Sequence, residues 1–161
     1  MKLPSFLWLI VFLVIDSNSV DVYCNARFGY CVSYPAFLKP QPESANGDGK
    51  VFKNEAGETA LTVYGALNQD ENGDLLSIEK QFKSDLKSQA NSKSEITYQK
   101  LGKNFYVISG RKNGKIFYQK TIARKESLGK RESFCFAILE YKESEKAKYD
   151  GVSASILKSF K

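Results

Sequence analysis

The sequence predicts an α+β fold: a central antiparallel sheet flanked by two main helices. Three observations point to it. Short runs rich in β-branched and aromatic residues follow one another with turn residues between them. Two segments, one in mid-chain and one at the end, place apolar residues at steps of three and four. The resulting order is β-ββ-α-ββββ-α, in which consecutive hairpins argue for antiparallel pairing.

Taken in order, the first strand is expected at Phe28–Tyr34, stopped by Pro35. Pro40, Pro42 and then Asn46-Gly47-Asp48-Gly49 read as a long loop, and the glycines of its end as a turn. Lys50–Asn54 and Thr59–Gly65 form a hairpin around Glu55–Glu58. Asp74 is placed to cap a helix whose stripe is Leu75, Ile78, Phe82 and Leu86, and Ala90-Asn91-Ser92 ends it. Strands then run over Glu95–Leu101, Phe105–Arg111, Lys115–Arg124 and Arg131–Tyr141. A final helix starts near Ser144, with Tyr149, Val152, Ile156 and Phe160 as its stripe and Ala147 and Leu157 beside it. Gly151 weakens its middle by about 1 kcal/mol relative to Ala.

Asn113-Gly114 reads as a two-residue type I′ turn. That turn puts Phe105, Val107, Ile116, Tyr118 and Ile122 on one face and Tyr106, Ile108, Phe117 and Ala123 on the other. Both faces are apolar, so each is either covered or a binding surface. Tyr106, Phe117 and Tyr118, with Arg111, Lys115 and Lys120 close in sequence, form a candidate docking patch. Ordinary sheet packing is the competing reading of the same residues.

Lys2, an apolar run over Leu3–Ile15 broken only by Pro4 and Ser5, and small residues at Ser17 and Ser19 match a secretory signal cut after Ser19. The run is short of the roughly 20 apolar residues a transmembrane span needs. Residues 1–19 are therefore expected to be a signal peptide and 20–161 a single domain, periplasmic or secreted, with no stable membrane span after cleavage. In that oxidising setting Cys24 and Cys31 are expected to pair and close a small loop, worth roughly 2–3 kcal/mol in the chain-entropy model. Cys135, in the run Phe134–Leu139, is expected as a buried thiol.

The chain has no histidine, which removes Ser-His-Asp and Cys-His catalysis and His-ligated zinc. Its net charge is +6, but Lys and Glu are interspersed, and no dense basic run supports nucleic-acid binding. Asn68, Asp70, Asn72 and Glu79, with Gly73 among them, match a calcium loop in outline. An Asn in the first position and a strand before the loop count against it. No cofactor is expected.

Tyr34-Pro35-Ala36-Phe37-Leu38, the Asn46–Gly49 loop, Phe52, Gly57, Leu61–Gly65 and the closing Ser155–Phe160 resemble small exported bacterial PsbP-like domain proteins. The resemblance implies a PsbP-like α/β/α sandwich and a mostly non-enzymatic family of assembly factors, lipoproteins and binding modules. It carries over no functional residue. The function expected is a non-catalytic exported module that binds another envelope or secreted protein, as a periplasmic immunity protein or an assembly or accessory factor. A histidine-free envelope hydrolase and a small-ligand or calcium-binding protein are the alternatives.

Overall fold

A computed structural model describes residues 19–70, 72–125 and 132–161 of the 161-residue chain. The signal-peptide reading rests on residues 1–18 and the cut beside them, and so lies outside the described residues. Nine strands and two main helices follow in order. They are β1 (Val20–Cys24), β2 (Cys31–Pro35), β3 (Lys39–Glu43), β4 (Gly49–Lys53), β5 (Thr59–Leu67), α1 (Ile78–Asn91), β6 (Glu95–Leu101), β7 (Phe105–Lys112), β8 (Lys115–Lys125), β9 (Glu132–Lys142) and α2 (Lys146–Ser159). A 3-10 turn, Glu143–Glu145, leads into α2.

β3 to β9 form one seven-stranded sheet in the order β3-β4-β5-β9-β8-β7-β6, every ladder antiparallel. The β4–β5 and β7–β8 hairpins lie where the turn residues place them. Asn113 and Gly114 both have positive φ, 51° and 73°, as a type I′ turn requires. Their register pairs Phe105 with Ile122 and Arg111 with Ile116. The two apolar faces expected for this hairpin are therefore real.

Two strands depart from the expected order. Residues 25–30 form a loop, and the strand expected from Phe28 begins at Cys31 and pairs with β1 as a separate two-stranded ribbon. β3, Lys-Pro-Gln-Pro-Glu, occupies the segment that reads as loop. Proline cannot donate to a ladder, and an edge strand is where two prolines fit. The cap of α1 is Ser77 rather than Asp74: the Ser77 hydroxyl accepts from Lys80 N at 3.2 Å. Leu75 is outside the helical stripe, exposed and bridged to Gln69. In α2, Ala147 is exposed and Ser153 takes a buried position instead.

The helices cover opposite faces. β2 and α2 enclose the main core, where Tyr30, Phe52, Leu61, Leu139, Tyr149 and Phe160 are sealed from solvent. On the other face Ile78, Phe82 and Leu86 of α1 cover Tyr106, Ile108 and Phe117. Gly65 on β5 admits the Phe28 ring, since a Cβ there would lie 2.2 Å from Phe28 Cγ.

Candidate functional site

The six residues of the candidate patch do not form one surface. Tyr106 and Phe117 are buried beneath α1. Arg111, Tyr118 and Lys120 lie on the opposite face, because side chains alternate along β7 and β8. Arg111 pairs with Glu143 at 2.9 Å and with Glu95 at 3.8 Å. Lys115 sits at the hairpin end opposite Lys112 and Lys142. Lys120 Nζ donates to the carbonyls of Leu157 and Phe160, both at 2.8 Å, and so closes the C-terminal end of α2. Burial lowers its pKa. Sheet packing engages Tyr106, Phe117 and Tyr118, ion pairing engages Arg111, and helix capping engages Lys120.

The calcium-loop residues are also engaged elsewhere. Asp70 Oδ1 accepts from Asn72 N at 2.9 Å and Asp74 N at 3.0 Å, which folds the loop on itself. Asn68 is buried and donates to Glu132 Oε2 at 3.0 Å, tying the loop to β9. Glu79 points to solvent on α1 and pairs with Lys83 at 2.7 Å. Among the described residues no cluster of three or more acidic, Cys or His residues has metal-binding geometry.

Cys24 and Cys31 are joined by a disulfide. Cys135 is fully buried as a free thiol, and burial pushes its pKa up to about 11. Such a thiol is held in its unreactive form at neutral pH.

Under α1 lies a polar network that periodicity alone does not reveal. Asp85 accepts from the Tyr106 hydroxyl, the Gln119 amide and, at 2.9 Å, the Gln81 amide. Gln119 also donates to Thr121 Oγ1 at 3.1 Å. Burial, and then the hydrogen bond to Asp85, drive the Tyr106 phenol pKa upward. Each member has a partner, so the network locks α1 to the sheet.

Two surfaces have features that packing does not consume. The first is the β6 edge of the sheet. Among the described residues β6 has one neighbour, β7, and six of its seven residues are exposed, with Tyr98 at 50% and Leu101 at 41%. The opposite edge, β3, carries Pro40 and Pro42. One edge is closed by residues that cannot donate, and the other keeps its backbone row available.

The second surface lies at the disulfide end. Two cavities, of about 390 and 260 Å³, share Arg124 and Lys125 in their walls. Arg27 and Phe28 stand on the disulfide loop, which Asn25 organises. Asn25 is buried, accepts from Phe28 N at 2.8 Å, and donates to Glu43 at 2.8 Å and to the Gly47 carbonyl at 2.9 Å. Sequence reasoning missed both surfaces. Residues 27–29, 120–125 and 160–161 meet only once the ribbon, β8 and the end of α2 are folded together.

A seven-stranded antiparallel sheet with one helix on each face and an added N-terminal ribbon belongs to a known class of α+β sandwiches. No protein-family model matches the sequence, and no curated protein matches it. Among solved structures the chain is similar to cyanobacterial PsbP (CyanoP) from Synechocystis sp. PCC 6803, with a TM-score of 0.58 at 15% identity over 92% of this chain and 95% of that one. It is also similar to the Ran-binding protein Mog1p of Saccharomyces cerevisiae, with a TM-score of 0.50 at 8% identity over 90% and 96% of the two chains. The fold is PsbP-like, as the resemblance implied. Among the described residues no helix is long and apolar enough to cross a membrane.

Proposed function

We propose that this chain is an exported, non-catalytic module that docks a partner protein by adding one of the partner's strands to β6. The observation that carries this reading is the contrast between the sheet edges: β3 holds two prolines, while among the described residues β6 pairs with β7 alone and carries exposed Tyr98 and Leu101. Main-chain pairing supplies affinity in such additions, and alternate side chains supply specificity. The absence of histidine supports a non-catalytic role, as does the commitment of Asp85 to a structural network. The apolar leader and the Cys24–Cys31 disulfide support export to the periplasm or beyond the cell. The partner in this reading is an envelope or secreted protein: a toxin if the chain is an immunity protein, a complex under assembly if it is an accessory factor.

A photo-crosslinking residue at Gln99, introduced in cells that make the protein, tests the reading. The expected result is one discrete cross-linked partner that disappears when Tyr98→Lys and Leu101→Lys are combined, with the melting temperature unchanged. Edge lysines are a device that blocks strand addition. A partner captured equally well by the double variant, or none captured at Gln99, overturns the proposal. The partner's identity, toxin or assembly component, then separates the two versions.

A further inference from the structure

The cavities at the disulfide end are walled by residues that are mostly cationic or apolar. The larger is walled by Lys120, Arg124, Lys125 and Lys161, over apolar Phe105 and Ile122. The smaller adds Arg27, with Phe28 and the hydroxyl-bearing Ser133. No Asp or Glu side chain lines either cavity among the described residues. Two of the cations are already engaged. Lys125 pairs with Glu132 at 3.0 Å, and Lys120 is bonded to the end of α2. Arg124 differs. It is half-buried at the junction of the cavities, and while its backbone pairs with Ser133 in the β8–β9 ladder, its side chain has no hydrogen bond or ion pair with any described residue. Its guanidinium lies against the loop backbone at Gly29, where a Cβ would stand 3.6 Å from Nη2.

Arg27 donates to the Asn46 carbonyl and stacks over the Phe28 ring at 5.1 Å, so it is held at the rim rather than free in solvent. The end of the chain is held as well: Cys31 N donates to the Lys161 carbonyl at 2.9 Å and Lys161 N to the Cys31 carbonyl at 3.2 Å. The walls are thus set by the disulfide loop, the start of β7, β8 and the two residues that follow α2.

We propose that this paired cavity binds a phosphate monoester with an apolar substituent, the dianion seated at Arg124 and the substituent lying on Phe105 and Ile122. A guanidinium with free donors matches phosphate oxygens in a forked, two-bond geometry. A surplus of cations around it selects a dianion over a monoanion. The apolar floor beside the charge selects an ester over inorganic phosphate. A volume of about 390 Å³ falls in the range of small-ligand pockets. A lipid headgroup and a soluble phosphate ester share this chemistry.

The test is calorimetric titration of the full chain, disulfide intact and at low salt, with phenyl phosphate, inorganic phosphate and benzoate. Retention on phosphatidylcholine vesicles with and without phosphatidic acid is measured beside it. Phenyl phosphate is expected to bind at one site, about tenfold or more tighter than either other probe, a gap of about 1.4 kcal/mol. Arg124→Gln and Arg27→Gln should each weaken it about tenfold, and Lys80→Gln on the far face of α1 should leave it within about twofold. Arg27 is exposed on its loop, so that variant reports on binding even if Arg124→Gln disturbs folding. Vesicle retention that needs phosphatidic acid and Arg124 identifies a lipid headgroup as the source. Phenyl phosphate binding without such retention identifies a soluble ester. Absence of saturable phenyl phosphate binding, benzoate binding as tightly, or Lys80→Gln weakening it as much as Arg124→Gln overturns the proposal.

Discussion

The two faces of the central sheet are closed by helices of equal length and different grip. α2 seats Tyr149, Ser153 and Ile156 below the surface, with Phe160 just beyond its end. Its aromatic contacts are close: Tyr149 stacks on Tyr141 with ring centroids 4.4 Å apart, and Phe160 meets Tyr30 at 5.5 Å. α1 has no fully buried residue at all. Its apolar stripe is half-exposed, and its firmest attachment is the hydrogen bonding of Asp85 to Tyr106 and Gln119. An apolar interface is non-directional and strong in proportion to area, whereas a polar network is specific but weak in net terms. The α2 face therefore carries the stability of the domain, and the α1 face fixes where a shallow helix lies.

A matched pair of truncations separates the two faces most strongly. Ile156→Ala on α2 removes a side chain that is 1% exposed and should cost about 3 kcal/mol in urea unfolding. Leu86→Ala on α1 removes one that is only partly covered and should cost about 1 kcal/mol. Equal losses from the two would mean that α1 is seated as deeply as α2.

Alkaline pH offers a second separation, because the thiol and most of the strongly shifted phenols lie on the α2 side. Burial pushes Cys135 up to about 11 and Tyr149 up to about 12, and it raises Tyr30 and Tyr141 as well. In the unfolded chain the thiol ionises near pH 8.5. Between that point and about 11 the unfolded chain holds fewer protons than the folded one, so stability falls as pH rises. The contribution is present below the unfolded pKa and lost through the folded one, a loss of about 3 kcal/mol from Cys135. The buried phenols steepen the fall above pH 10. Cys135→Ala should flatten the unfolding profile between about pH 8.5 and 11 while leaving the steeper phenol-driven part. An unchanged slope in that window would show that the thiol titrates as freely in the fold as out of it.

Legibility in the sequence tracks whether the signal is local. Asn113-Gly114 fixes its own turn, so the β7–β8 register and both of its faces can be read residue by residue. The Glu95–Leu101 strand is readable to its ends. β3 is not, because two prolines in five residues speak against a strand, and only its place at the sheet edge makes them tolerable. The start of α1 is ambiguous because Asp74 and Ser77 are both good caps, and the turn built by Asp70 claims the residues before Ser77. The docking patch fails on alternation: proximity in sequence puts Tyr106 and Phe117 with Tyr118 and Lys120, and the pleat separates them. The cationic cleft is illegible for a different reason. Its members come from the ribbon, β8 and the chain's last residues, and no spacing rule links positions that only long-range folding brings together.

The smallest expected effect probes α2 from inside. Gly151 sits on the exposed side of this helix, where nothing lies within 4 Å of an added Cβ. Its φ is not in the left-handed region, so alanine fits the backbone as it stands. Gly151→Ala should raise stability by about 0.5–1 kcal/mol, by narrowing the freedom of the unfolded chain and improving helix propensity, while the added methyl stays in solvent. The readout is the denaturation midpoint at constant slope. An increase of this size would mean that α2 still carries an intrinsic helical weakness, which its buried aromatic face overrides. No increase would mean that Gly151 is not a weak point of α2, and that the packing of Tyr149 and Ile156 alone decides where this helix stands.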